Sequence, residues 1–187
     1  MKVLFIDACV KDDSRTRYLA DYLASKIDGD IKRVKLNDLG LKPLDKNLLI
    51  KRDKLINENK LEDEMFKLAI DFKESDIILI ASPYWDLSFP SLLKIYFEQI
   101  NVLNVVFKYG IDNMPHSLCN IKKMYYITTS GGAIINDEYG FGYIKSLFNN
   151  FYGVNDIKYI KAECLDIYGA DVNKILNDAK KKIDELF

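Results

Sequence analysis

A doubly wound α/β three-layer sandwich on a five-stranded parallel sheet is the fold this 187-residue sequence predicts. Two unbroken apolar runs, Val3-Leu4-Phe5-Ile6 and Ile77-Ile78-Leu79-Ile80-Ala81, read as strands buried on both faces, as central parallel strands are. Helical patterns fall between the strand candidates, the alternation that covers a parallel sheet on both sides. With 49% hydrophobic residues, a chain of this length is read as a single domain over residues 1–187, burying roughly 70% of the surface its unfolded form exposes.

Each element follows from its pattern. After the first strand, residues 15–27 place Leu19, Tyr22, Leu23 and Ile27 on one helical face. Ile31-Lys32-Arg33-Val34-Lys35-Leu36 alternates as an edge strand does. The charged stretch 37–60, broken by Leu41-Lys42-Pro43, is too long for an ordinary connection; it reads as a surface excursion with a short helix, or alternatively as a lid or partner contact. Residues 61–73 carry the helical stripe Leu61, Met65, Leu68, Ala69 and Phe72 into the third strand. Pro90 suits the first turn of a helix whose stripe is Leu93, Tyr96, Phe97 and Ile100. Met124-Tyr125-Tyr126-Ile127 and Ile157-Lys158-Tyr159-Ile160 complete the strands, and 170–187 closes the chain as a helix.

Charge and cysteine usage exclude several classes. The 27 basic and 28 acidic residues are interspersed, so nothing attracts nucleic acid or an anionic membrane. No apolar run approaches the roughly 20 residues of a spanning helix, and the start lacks a signal peptide's apolar region, which together predict a cytoplasmic protein. Cys9, Cys119 and Cys164 are widely spaced and read as reduced thiols, with neither a disulfide framework nor a metal site expected. The one histidine, His116, lies in a polar loop and is expected to be exposed.

In an open parallel sheet, ligands bind where the strands' carboxyl ends meet the following loops. After the first strand, Ser14, Arg15 and Thr16 bring two hydroxyls and a guanidinium to a helix start, where free N–H groups favour an anion; capping by Ser14 or Asp13 is the structural alternative. There is neither a GxGxxG nor a Walker glycine-lysine pair. After the third strand, Tyr84 and Trp85 offer flat apolar surface on a backbone that Pro83 and Pro90 restrict. After the fourth, Thr128-Thr129-Ser130-Gly131-Gly132 offers donors, with glycines that permit close approach. An anion cradle, an aromatic platform and a rim of donors together suit a planar heteroaromatic cofactor with one phosphate.

These residues resemble the FMN-dependent NADH azoreductases and NAD(P)H quinone reductases of the flavodoxin-like superfamily, nearly end to end. Ser14-Arg15-Thr16 stands in place of the family's Ser-x-Ser, Pro83-Tyr84-Trp85-Asp86-Leu87 in place of its Pro-Met-Tyr-Asn-Phe, and Ile127 to Gly132 in place of the strand ending Ser-Arg-Gly-Gly. Phe107-Lys108-Tyr109-Gly110 is similar to its Phe-x-Tyr segment. The resemblance implies a flavodoxin-like sandwich in which Ser14, Arg15 and Thr16 hold the FMN phosphate. Pro83, Tyr84, Trp85, Asp86 and Leu87 would then line the isoalloxazine, and Thr129, Ser130, Gly131 and Gly132 would bond its polar edge. It further implies NADH or NADPH as hydride donor, a quinone or azo compound as acceptor in a ping-pong sequence, and a homodimer whose site meets the interface. Phe107, Tyr109, Phe148, Phe151 and Tyr152 would form an aromatic wall there, ordinary core packing being the alternative. No catalytic side chain is implied, because the chemistry belongs to the flavin.

Two departures bear on reactivity. Asp86 replaces the family's asparagine, and a carboxylate beside the ring would disfavour the anionic reduced flavin; Ser130 replaces an arginine and removes a positive charge from the same rim. A flavodoxin-type electron carrier shares the fold and FMN, although the near-zero charge and the 37–60 segment argue against it. A phosphorylatable receiver domain would need an acceptor aspartate where the third strand ends in Ala81-Ser82-Pro83.

Overall fold

A computed structural model describes residues 1–187. Its elements run β1 (Lys2–Asp7), α1 (Arg15–Ala24), β2 (Asp30–Lys35), α2 (Lys46–Asn57), α3 (Lys67–Lys73), β3 (Ile77–Ala81) and α4 (Ser91–Ile100). There follow β4 (Phe107–Tyr109), β5 (Pro115–Ser117), β6 (Lys123–Thr129), α5 (Tyr143–Asn150), β7 (Asp156–Ala162) and α6 (Val172–Asp184). The main sheet is ordered β2-β1-β3-β6-β7 and every pairing in it is parallel. This is the expected five-stranded sheet, with β2 at its edge.

Alternation along the strands feeds two cores. Leu4 and Ile6 of β1 and Ile78 and Ile80 of β3 face one cluster, which takes in Phe72, Phe97 and Phe148 from α3, α4 and α5. Val3, Phe5, Ile77 and Leu79 face the other, with Leu19 and Leu23 of α1 and Ile183 of α6. A strand buried on both sides has no polar face to spare, which is why the centres of β1 and β3 are unbroken apolar runs.

Several elements differ from the sequence expectation. The 61–73 helix begins later: Glu64–Phe66 is a 3₁₀ turn whose Met65 N–H is capped by Asp63, and regular helix starts at Lys67. The first helix stops at Ala24 although Ile27 remains buried. Pro90 sits just ahead of α4, at its N-cap. The segment 37–60 contains α2, capped by Asp45 on Leu48. The antiparallel hairpin β4–β5 and the π turn Glu138–Gly142 leading into α5 had no counterpart in the sequence reading.

The strand order reverses direction at β1 and β3: from β1 the chain passes to β2 on one side, and the later strands build outward on the other. A crevice opens at such a point because the helices after the two strands leave on opposite faces. Sheet-like hydrogen bonds also run beyond the strand ends: Ala8 N–H donates to Ala81 O (2.9 Å), Ser82 to Ile127 O (2.9 Å), Tyr84 to Thr129 O (3.0 Å) and Ser130 to Ala162 O (3.0 Å).

Candidate cofactor site

A cleft of about 430 Å³ lies across this point, within the roughly 300–1,000 Å³ of small-molecule sites. Val10, Lys11, Asp13, Ser14, Arg15 and Thr16 form one wall, Pro83, Tyr84 and Trp85 a second, and Thr129, Ser130 and Gly131, with Asp166, the third. The three loops singled out in the sequence therefore meet. Asp86, Leu87 and Gly132 stand outside this lining.

On the first wall, Ser14 caps α1, its Oγ accepting from Arg17 N–H at 3.3 Å, so the capping role is realised. Its hydroxyl proton can turn either to the neighbouring Cys9 thiol or outward. Ahead of the helix, the backbone N–H groups of Val10, Lys11, Asp12, Asp13, Arg15 and Thr16 have no acceptor within the protein. A row of such donors at a positive helix end fits a phosphate. Arg15 is already engaged: Nη1 donates to Leu165 O at 3.1 Å and Nη2 to Asp166 Oδ1 at 2.7 Å. Thr16 is 1% exposed, and its Oγ1 lies 2.6 Å from Thr129 Oγ1, a hydroxyl pair that ties the start of α1 to the end of β6.

On the second wall, Tyr84 is half-buried and its hydroxyl donates to Asn136 O at 3.2 Å. Trp85 is 43% exposed and lines the cleft. Trp85 and Ser88 exchange backbone bonds of 3.0 and 2.8 Å around Asp86 and Leu87, which hold φ of 48° and 67°. Two consecutive non-glycine residues in the left-handed region mark a strained, tight turn. That turn carries Asp86 to an exposed tip.

The third wall is drawn in by its own bonds. Ser130 Oγ donates to Gly132 O at 2.6 Å, and Asp166 N–H donates to Gly131 O at 2.9 Å. A Cβ on Gly131 would meet Asp166 Oδ2 at 2.5 Å and displace that exposed carboxylate, so the glycine leaves room for Asp166 where it stands, whereas a Cβ on Gly132 would meet open space. Burial, the largest influence, pushes the Cys9 thiol beneath the first wall up to about 12, which keeps it protonated and unreactive.

The expected aromatic wall divides. Phe107, Phe148 and Tyr152 are buried within the chain's own core, with Phe72 against Tyr152 at 4.7 Å and Phe97 against Phe148 at 6.3 Å. Phe148 belongs to the buried stripe of α5, Tyr152 packs just beyond that helix and Phe107 is the one buried residue of β4, so the packing alternative holds for these three. Phe151 packs on Phe107 at 5.1 Å, and only Tyr109 projects well into solvent, away from the cleft. His116 is exposed, its Nε2 3.0 Å from Asp112 Oδ1.

Asp166, which no sequence motif singles out, lies in the loop after β7 and joins the three expected loops at the cleft. The rule that ligands sit at strand carboxyl ends covers β7 as well, since it borders β6.

A doubly wound sheet with a cleft at its switch point, a row of free N–H donors facing an aromatic wall, is the architecture of a flavodoxin-like protein. The family model described as "Flavodoxin-like fold" matches residues 1–187. The chain is 32% identical over 200 residues to an FMN-dependent NADH:quinone oxidoreductase of Coprothermobacter proteolyticus, covering 99% of this chain and 97% of the relative. It is 33% identical over 198 residues to one of Clostridium beijerinckii, covering 98% and 96%. Among solved structures, an FMN-dependent NADH-azoreductase from Bacillus anthracis str. Ames Ancestor in complex with FMN superposes with a TM-score of 0.81 at 25% identity, over 99% of this chain and 96% of that one. An azoreductase from Bacillus anthracis str. Sterne shares the fold with a TM-score of 0.83 at 20% identity, over 100% and 98%. The chain belongs to the flavodoxin-like family and, within it, to the FMN-dependent NADH:quinone oxidoreductase and azoreductase group.

Proposed function

We propose that this chain, acting as one domain, is an FMN-dependent oxidoreductase that carries two electrons from NADH to quinones or azo compounds. The observation that carries the reading is the convergence, in one cleft at the sheet's switch point, of acceptor-free N–H groups from Val10 to Thr16 with the Tyr84–Trp85 wall. Family membership supplies the cofactor and the acceptor class.

The residues present fit the cofactor. The N–H groups of the β1–α1 loop and the Ser14 hydroxyl would hold the phosphate. Tyr84 and Trp85 would cover the apolar ring system and keep water from it, while Thr129, Ser130 and Gly131 would meet its polar edge. Bound FMN would supply the two-electron chemistry, accepting a hydride from the nicotinamide and passing electrons to the acceptor. The protein contributes binding, orientation and electrostatics. Because donor and acceptor would share one open face of the cleft, we read the sequence of events as ping-pong, with NADPH an alternative donor.

No helix is long and apolar enough to cross a membrane, and we read the protein as cytoplasmic, without affinity for nucleic acid. Tyr109, Ile111 and Met114 on and around the β4–β5 hairpin form an exposed apolar face, which we assign to a homodimer contact.

The test is an absorption spectrum of the purified protein after adding FMN and desalting, followed by anaerobic NADH and then a quinone. Retained flavin that NADH bleaches and quinone restores is the expected result. Retained flavin that NADH cannot bleach would mark an electron carrier instead, and no retained flavin would refute the reading.

A further inference from the structure

The β1–α1 loop is wound around a side chain that lies outside the cleft lining. Arg17, in the first turn of α1, donates from Nε to Asp7 Oδ2 at 2.7 Å and from Nη2 to Cys9 O at 2.6 Å. Its Nη1 donates to Lys11 O at 2.7 Å and to Asp12 O at 3.1 Å. Asp7, at the end of β1, is fully buried at its side chain, and its Oδ1 accepts Cys9 N–H at 3.0 Å. Arg17 itself is only 15% exposed.

A planar trans peptide points its carbonyl and the next N–H in opposite directions. Drawing the carbonyls of Cys9, Lys11 and Asp12 inward onto Arg17 therefore turns the N–H groups of Val10, Asp12 and Asp13 away from it. These are three of the donors that find no acceptor in the protein. The guanidinium's charge is matched by Asp7 at contact distance, so its leverage on a distant anion is geometric rather than Coulombic. A planar fork reaching one carboxylate and three carbonyls at once is a task for arginine; lysine offers a single point of donation.

We infer that Arg17, anchored by Asp7, is a positioning residue that folds the β1–α1 loop into an anion cradle and thereby selects a flavin bearing a phosphate over one without. This rests on the reading of the cleft as an FMN site. The side chain touches no ligand; it acts through the backbone it gathers.

The experiment compares wild type, Arg17→Lys and Arg17→Met in titrations with FMN and with riboflavin, followed by flavin fluorescence. Both substitutions are expected to weaken FMN binding by about tenfold or more, since several oriented donors are lost, while riboflavin affinity changes far less, so that the FMN-to-riboflavin preference collapses. Arg17→Lys keeps the ion pair with Asp7 and carries the test should Arg17→Met fail to fold. A preference that survives in Arg17→Lys, through equal losses for both flavins or through none, overturns the inference while leaving the FMN reading intact. Wild-type protein that binds neither flavin overturns both.

Discussion

Asp166 Oδ1 accepts a hydrogen bond from Arg15 Nη2 at 2.7 Å, so the arginine that opens α1 is bound across the cleft to the loop after β7. The carboxylate thus occupies the attention of the one guanidinium in the lining and places negative charge beside the proposed phosphate position. The pair is solvent-exposed, at 38% and 64% of its side-chain surfaces, so its net strength is about 0–1 kcal/mol. Asp166→Asn should release Arg15 and tighten FMN binding by about two- to fivefold, as read by flavin titration at low and high salt. An affinity lowered by the change would show that Asp166 serves to aim Arg15 instead.

The hydroxyl pair of Thr16 and Thr129 is buried and 2.6 Å long. Removing one partner leaves the other unsatisfied, so Thr16→Val or Thr129→Val should each destabilise the fold by about 1–3 kcal/mol. The double variant should lose clearly less than the sum of the two, because it strands no polar atom. Urea denaturation of the four proteins measures this, and simple additivity would sever the two residues energetically.

Trp85 is the only tryptophan, and it lines the cleft at 43% exposure. Its emission should fall on addition of FMN and recover when the flavin is removed by dialysis. Emission indifferent to saturating FMN would place the flavin elsewhere.

Leu87 holds φ 67°, a conformation that costs a β-carbon-bearing residue roughly 1–2 kcal/mol. Leu87→Gly should therefore raise thermodynamic stability by about 1 kcal/mol, while loosening a turn next to the proposed site and lowering turnover with NADH and quinone. Thermal unfolding together with steady-state rates separates the two effects. A destabilised Leu87→Gly protein would mean that the leucine's contacts outweigh its backbone strain.

Burial pushes the Cys9 and Cys119 thiols from an ordinary 9.0 up to about 12. In the unfolded chain these thiols ionise near 9.0 and in the folded protein they hold their protons to about 12. Their share of stability is therefore whole below pH 9 and is lost as pH climbs toward about 12. Denaturation midpoints should fall across that interval, and more gently in a Cys9→Ala, Cys119→Ala double variant; parallel curves for the two proteins would refute the assignment.

Much of the architecture is legible in residue patterns, because β1, β3 and β6 are apolar on both faces and feed both cores. The three cleft loops were equally readable from their position after β1, β3 and β6. Other elements leave little trace in the sequence, for physical reasons. β4 and β5 are three residues each, too short for any alternation to register. The stripe of Ile144, Leu147 and Phe148 in α5 spans only eight residues, too few turns for a helical period to stand out. Asp7 looks like an ordinary polar strand end, and nothing in the local sequence reveals that Arg17, ten residues on, neutralises it in the interior. Pairings made by tertiary approach leave no periodic trace.

The backbone bonds that join Ala8 to Ala81, Ser82 to Ile127, Tyr84 to Thr129 and Ser130 to Ala162 have a consequence for how this scaffold can diversify. They make the cleft walls continuations of the sheet, so the spacing between walls is inherited from the spacing between strands. Side chains on those walls can be exchanged like tiles on a fixed frame: a change at Tyr84, Trp85 or Ser130 alters what the cleft presents without moving the backbone that sets its width.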